Sequence, residues 1–326
     1  MNRVEVLEKV GPLIEGQVRN VNDSAGARVS VAGEVISLRP RRGAQVIDVA
    51  PEGAKAMVNL VGLPIGIAKH LSPKTFSEVL GELLEHTGSY SMIVKEDRLT
   101  DMIPFGQKAT VSPERLLTVI EKAIPVRDYN MVDLLPNRVA SIEIVGEKTQ
   151  PVARGELVRA GVKVNFSPMG TIVPVVQSYA VVLACTNGMT SNRVLAEFTA
   201  GGGGAGDGDS IWQFFRQSVR SAYGSFEQVV EGYRKLRAEN IKPEDRAQLL
   251  ETLLKEARIG GKVAEAVRSM AIERPPSNSW ELQNLITYAS SHLLEAAPRQ
   301  RAQQVAADFA DEERHARTCP LCRRSR

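Results

Sequence analysis

The sequence predicts an α+β fold, with a β-rich region first and an all-helical region after it. Through the first 200 residues, short segments rich in β-branched residues recur between glycine, proline and asparagine. Beyond residue 208 the apolar residues recur at helical spacing instead. We therefore predict an α+β domain over 1–200, a glycine-rich linker over 201–208, a helical domain over 209–298, and a terminal helix with a basic tail over 299–326.

Four segments of the first region have the composition of strands, and two others have the start signals of helices. Ser72 and Ser112 are each followed by proline, which is the chemistry of a helix N-cap and a first helical position. Leucine and valine then recur at helical spacing behind each pair. The predicted strands are 26–38, 90–94, 139–145 and 162–166.

The run from Gly201 to Gly208 has six glycines in eight residues, a composition that behaves as flexible coil. A phosphate-binding loop would need Gly-Lys-Ser/Thr at its end, whereas this run continues into Asp209 and Ser210. We interpret it as a linker. The predicted helices beyond it begin near Asp209 and at Pro243, and continue over 262–272, 279–296 and 299–315.

The composition is typical of a soluble globular protein, with 43% hydrophobic and 24% charged residues. No apolar run approaches the about 20 residues that a membrane helix needs. The first residues mix both signs of charge, unlike a signal peptide. Three cysteines cannot form an even disulfide framework. These features predict a cytoplasmic protein with no membrane partner.

The most specific chemical pattern lies in the tail, where Cys319 and Cys322 are two residues apart and His315 precedes them. Two such thiolates and a histidine are ligands that zinc prefers, so we predict a zinc site here. A closed site needs a fourth ligand, which could be His292, Cys185, a carboxylate at 311–312, or a residue of another subunit. The alternative interpretation is a reduced thiol pair on a basic tail.

A second pattern is an apolar run that ends at Cys185 and continues as Thr186, Asn187 and Gly188. Asn-Gly is the expected pair for a tight turn with positive φ. We interpret Cys185 as a buried structural residue, because a free cysteine behaves as a small hydrophobe and no recognisable base accompanies it. Far downstream, a helical segment carries Trp280, Asn284 and Thr287.

Together, the Cys-Thr-Asn-Gly turn and the Trp…Asn…Thr helix resemble those of an uncharacterised "phage/plasmid-like" family of bacteria and their mobile elements. The resemblance spans roughly residues 30–295 and is firmest over 160–192 and 278–292. It implies a role in DNA metabolism, and we expect a protein that binds single-stranded nucleic acid or assists annealing, as proteins of the Red-beta or Erf type do.

The net charge of +3 is too small to argue for nucleic acid by itself. Local clusters of basic residues are therefore the candidate contacts, and aromatic residues for base stacking are scarce at 5%. The predicted nucleic-acid-binding residues are Arg39, Arg41, Arg42, Arg154, Arg159, Lys163, Arg323 and Arg324.

Two other function classes stay open. One is a self-assembling or protein-interaction protein, in which the helical half forms a homo-oligomer through its repeated apolar faces. The other is an enzyme, which is the least supported class, because nucleophile, base and oxyanion donor do not occur together at a recognisable spacing. We therefore assign no catalytic residue.

Overall fold

The computed structural model describes residues 1–105, 110–182, 189–191, 198–199 and 208–310. Within these ranges the fold is α+β, as predicted. Two sheets with packed helices come first, and the region from residue 208 to residue 310 is entirely helical. No helix in these ranges is long and apolar enough to cross a membrane.

The first sheet has six strands, which are β1 (Gln17–Val21), β2 (Arg28–Ala32), β3 (Val35–Arg39), β4 (Ile47–Val49), β5 (Tyr90–Lys95) and β6 (Arg98–Pro104). Their order is β1-β5-β6-β4-β3-β2, and all neighbours are antiparallel except β4 and β6. The segment 26–38, predicted as one strand, is a hairpin, because Gly33 at φ 61° turns the chain between β2 and β3.

The second sheet also has six strands, which are β7 (Val126–Leu135), β8 (Val139–Ala153), β9 (Glu156–Phe166), β10 (Val175–Val182), β11 (Met189–Ser191) and β12 (Phe198–Thr199). Their order is β11-β10-β9-β8-β7, and β12 also pairs with β10. All these pairs are antiparallel, as expected for strands joined by short turns.

The helices are α1 (Arg3–Val10), α2 (Pro51–Leu60), α3 (Ile65–Ala68), α4 (Pro73–His86), α5 (Pro113–Ala123), α6 (Gly208–Gly224), α7 (Phe226–Ala238), α8 (Arg246–Glu256), α9 (Gly261–Glu273), α10 (Ser279–His292) and α11 (Ala296–Ala310). Both predicted caps are confirmed: the hydroxyls of Ser72 and Ser112 accept hydrogen bonds from the backbone N–H groups of Thr75 and Arg115.

Three large apolar clusters form the core of the described residues, and Val145 and Val181 form a small fourth one. One lies on the first sheet beneath α2 and α4. A second fills the space between one face of the second sheet and helices α1, α5, α6 and α7. A third lies among α8, α9, α10 and α11. The helices that follow the predicted linker therefore belong to two different clusters, with α6 and α7 packed on the sheet.

This distribution bears on the domain organisation. The domain boundary at 201–208 stays a prediction: residues 201–207 lie outside the described ranges, and Gly208 is the first residue of α6. Among the described residues, however, α6 and α7 share a core with β8, β9 and β10, whereas the apolar cluster of the later helices begins at Ile241. The packing thus groups α6 and α7 with the second sheet and α8–α11 with one another.

Candidate functional site

Several predicted site residues lie outside the part of the chain that the structure describes. Among the residues that it does describe, no group of three histidine, cysteine, aspartate or glutamate side chains could hold a metal ion. The zinc site and the turn of the resemblance stay predictions. The residues concerned are Cys185, Thr186, Asn187, Gly188, His315, Cys319, Cys322, Arg323 and Arg324.

The predicted basic residues of the first sheet lie together. Arg39 ends β3, and Arg41 and Arg42 follow in the exposed loop behind it. The hairpin register places Arg28 of β2 directly opposite Arg39, so these two side chains share a face. Arg42 lies beside the turn before β2, since a Cβ placed on Gly26 would be 3.1 Å from the Arg42 Cβ.

We call Arg28, Arg39, Arg41 and Arg42 the arginine cluster. All four side chains are exposed, and among the described residues none of them forms an ion pair with a carboxylate. Two carboxylates on adjoining elements have partners of their own: Asp48 accepts from the Ser37 hydroxyl at 3.0 Å, and Glu85 accepts from the Gly26 N–H at 2.8 Å. Like charges directly opposite on neighbouring strands are destabilising, and an anion between them relieves that repulsion.

Lys163 requires a correction. Its side chain lies on β9 and is 2% exposed, with the ammonium nitrogen 3.6 Å from a carboxylate oxygen of Glu143. While α11 covers β9, the Lys163 ammonium is buried and paired and does not reach a backbone phosphate, which counts against the prediction that it binds nucleic acid. Arg154 is exposed at the β8–β9 turn, and Arg159 is half-buried on β9, so neither joins the arginine cluster.

The two faces of the second sheet differ in chemistry. Ile142 and Ile144 of β8 and Val162 and Val164 of β9 point into the apolar core with α6 and α7. The residues between them point to the opposite face and are polar. We call this the polar face, and it is made by Asp133 of β7, Ser141 and Glu143 of β8, and Lys163 and Asn165 of β9.

Helix α11 covers the polar face. The amide oxygen of Gln303 accepts from the Lys163 ammonium at 2.6 Å, and its amide nitrogen donates to Glu143 at 2.9 Å. One side chain of the helix therefore bridges both members of the buried ion pair. One turn earlier, Arg299 forms an ion pair with Asp133, which is 6% exposed. These contacts join parts of the chain 160 and 166 residues apart.

Burial sets the protonation behaviour of these groups. It lowers the pKa of the Lys163 ammonium, against the opposing effect of Glu143 and Asp133. Burial also raises the pKa of the Asp133 carboxyl, although Arg299 acts in the opposite direction. The charged forms of both groups are thus destabilised by the loss of water and retained by their partners.

The three described residues of the resemblance all lie on α10. Trp280 is 1% exposed and packs against Tyr233 of α7 with ring centroids 4.7 Å apart, and its indole N–H donates to Glu156 at 3.0 Å. The Thr287 hydroxyl donates to the backbone carbonyl of Asn284 at 3.1 Å, so it completes a local helical contact. The side-chain oxygen of Asn284 is buried without a hydrogen-bond partner among the described residues.

Glu281 fixes the start of α10. Its backbone N–H donates to the Asn278 side chain, and its carboxylate accepts from the Ser277 N–H and hydroxyl at 2.8 Å. Burial alone would raise the pKa of this carboxyl. The hydrogen bonds from Ser277 and Asn278 and the charge of Arg237 outweigh burial and hold the pKa below its usual value of 4.5.

We expect Glu281→Gln to remove a pH-dependent contribution to stability. A carboxyl whose pKa is lowered by folding stabilises the native state above its unfolded-state pKa, and this contribution is lost as the pH falls through the folded-state pKa. The unfolding free energy of the variant should be lower than that of the wild type at neutral pH, and the difference should shrink in acid. Urea titrations at several pH values measure it, with the exposed Glu227→Gln as control. An equal difference at every pH would contradict the assignment.

Sequence reasoning missed Arg28, Asp133, Glu143, Arg299 and Gln303. Each of these residues belongs to a site only through its contact with a different strand or helix, and the sequence does not show that contact. Comparisons of the chain with protein-family models, with curated proteins and with solved structures found no match.

Proposed function

We propose that the protein binds single-stranded nucleic acid through the arginine cluster, as part of DNA metabolism in a phage or plasmid context. The observation that carries the proposal is the cross-strand pair of Arg28 and Arg39. Two exposed guanidinium groups on one face, with two more in the adjoining loop, provide planar donors for the oxygens of successive phosphates.

The chemistry of this surface favours binding that is independent of sequence. A base-stacking platform needs exposed aromatic side chains, whereas Ser30, Ser37 and Asp48 lie beside the arginines on the same face. Arginine contacts to phosphate release counterions, so affinity should fall as salt rises. Binding by the arginine cluster is therefore expected to be electrostatic.

The test compares two double variants that remove the same charge. Arg28→Gln/Arg39→Gln removes the cross-strand pair, and Arg216→Gln/Arg220→Gln removes two exposed arginines of α6. Fluorescence anisotropy with a labelled single strand is measured at several salt concentrations. Each phosphate contact contributes about 0.7 to the slope of log affinity against log salt for single strands. We expect the first variant to lose about 1.4 from this slope and the second to keep the wild-type slope.

Two results would overturn the proposal. One is the absence of salt-dependent binding by the wild type at micromolar protein. The other is an equal loss of affinity in both double variants, which would show that only net charge matters. A further variant, Arg323→Gln/Arg324→Gln, separates the contribution of the tail.

Zinc binding and self-association stay proposals that two direct measurements address. Elemental analysis of protein purified without added metal should find zinc that Cys319→Ser removes, because the thiolates are its preferred ligands. Light scattering over a range of concentrations should reveal the predicted homo-oligomer.

A further inference from the structure

We propose that helices α8–α11 form a unit that separates from the polar face of the second sheet and closes on it again. The packing of Trp280 against Tyr233 acts as the pivot. The open state exposes the polar face to solvent, and the closed state is the arrangement described above.

The first observation is that the unit has its own apolar core. Leu250 and Leu254 of α8, Ile286 of α10, and Ala306 and Phe309 of α11 all belong to a cluster that is separate from the core of the second sheet. Helix α11 therefore has apolar contacts with α8 and α10, and it turns its polar side chains toward the sheet. Because its apolar side chains pack on α8 and α10, α11 is expected to move together with these helices.

The second observation is that the contact between α11 and the sheet is polar. Among the described residues it includes the Arg299–Asp133 ion pair, the bridge from Gln303 to Glu143 and Lys163, and a contact of the Arg299 guanidinium with the Met131 sulfur. When the unit closes, the ion pair and the Gln303 bridge lose contacts with water as they gain contacts with protein. Their net contribution to the stability of the closed state is therefore far smaller than that of an apolar contact of equal size. Polar interfaces between separately packed units are the kind that permits relative motion.

The third observation is that closure leaves polar atoms without partners. The Ser141 hydroxyl, the Asn165 side-chain oxygen and the Gln300 amide nitrogen are buried and have no hydrogen-bond partner among the described residues. Ser141 is 2% exposed and lies opposite both Asp133 and Asn165 in the strand register. Water would satisfy these atoms in the open state, which reduces the free-energy difference between the two states.

The fourth observation places the pivot. The chain enters the unit after α7, where Asn240 pairs with Asn278 just before α10. The Ile241 N–H donates to the Ser277 carbonyl and the Ser279 N–H to the Glu239 carbonyl, both at 3.0 Å. Trp280, which belongs to the apolar core of the second sheet, follows directly. The covalent connection, this backbone pairing and the Trp280 packing thus coincide at one end of the unit, away from Arg299 and Gln303 on α11.

The test is hydrogen–deuterium exchange on the full chain, followed by mass spectrometry. Amides of α8–α11 should exchange faster than those of β8 and β9, because the separated unit keeps only its own core, so its helical hydrogen bonds open more readily than those of the sheet. Asp133→Asn removes the β7 carboxylate with which Arg299 forms its ion pair, and it changes no residue of the helical unit. We expect it to raise the exchange of α8–α11 about tenfold while β8 and β9 change little.

Two further variants complete the design. Ser141→Ala removes a buried hydroxyl that lacks a partner in the closed state, so it should slow the exchange of α8–α11. Glu251→Gln also removes one negative charge, but its ion pair with Arg268 lies within the unit, so the ratio of helix to strand exchange should stay unchanged.

Two outcomes would overturn the inference. The first is that helices and strands exchange at one common rate in all four proteins, which would show that only global unfolding exposes α11. The second is that Glu251→Gln raises the exchange of α8–α11 as much as Asp133→Asn, which would place the effect inside the unit rather than at the polar face.

Discussion

Lys163→Met should destabilise the protein by about 3–5 kcal/mol, the cost of removing one partner from a buried ion pair. The Glu143 carboxylate is 1% exposed and would lose the ammonium group of its ion pair, whose nitrogen lies 3.6 Å away. The Gln303 amide oxygen would lose its donor at the same time. Urea unfolding followed by circular dichroism measures the loss, with the denaturant slope as a check that the unfolding mechanism is unchanged.

The matched control for this prediction replaces the whole group. Lys163→Met/Glu143→Leu removes both charges but takes from the buried Gln303 amide its hydrogen bonds with Lys163 and Glu143, which costs about 1–3 kcal/mol. Adding Gln303→Leu removes that amide too, and the triple variant should recover most of the lost stability, since apolar replacement of a buried ionic group is often neutral or stabilising. A Lys163→Met variant within about 1 kcal/mol of the wild type would contradict the prediction.

The same residues show where reasoning from sequence fails. The segment 139–145 was predicted as a strand and forms part of β8, with Ser141 and Glu143 alternating with apolar residues. Alternation reveals that one face is polar, but it does not reveal what covers that face. Here α11 covers it, through contacts between residues 160 positions apart in the chain. Lys163 was therefore assigned to the surface, although it is buried.

Local chemistry was predictable where neighbouring residues alone decide the structure. The caps at Ser72 and Ser112 were predicted because a hydroxyl before proline is enough to begin a helix. The arginines at 39, 41 and 42 were predicted as a group because they are close in sequence. Arg28 was missed, since only the hairpin turn at Gly33 brings it opposite Arg39. The arginine cluster could therefore be predicted only in part, because strand pairing brings its fourth member into place.

Trp280→Ala should lower the unfolding free energy by about 3–5 kcal/mol, as expected when a fully buried large aromatic side chain is removed. Trp280 is the largest fully buried side chain among the described residues, and it joins α10 to α7 through Tyr233. Its loss would leave a cavity at the point where the helical unit meets the core of the second sheet, and the surrounding helices can fill such a space only in part.

Trp280→Phe separates the packing of this residue from its hydrogen bond. Phenylalanine retains a ring against Tyr233 but loses the indole N–H that donates to Glu156. We expect it to cost about 0.5–1.5 kcal/mol, the net contribution of a typical hydrogen bond, and less than the alanine variant, because the Glu156 side chain is 26% exposed and keeps its ion pair with Arg237. This order would show that Trp280 acts through packing, in agreement with its burial. If both variants unfolded at the wild-type urea concentration while binding of single-stranded nucleic acid was lost, Trp280 would be a ligand contact instead of a structural residue.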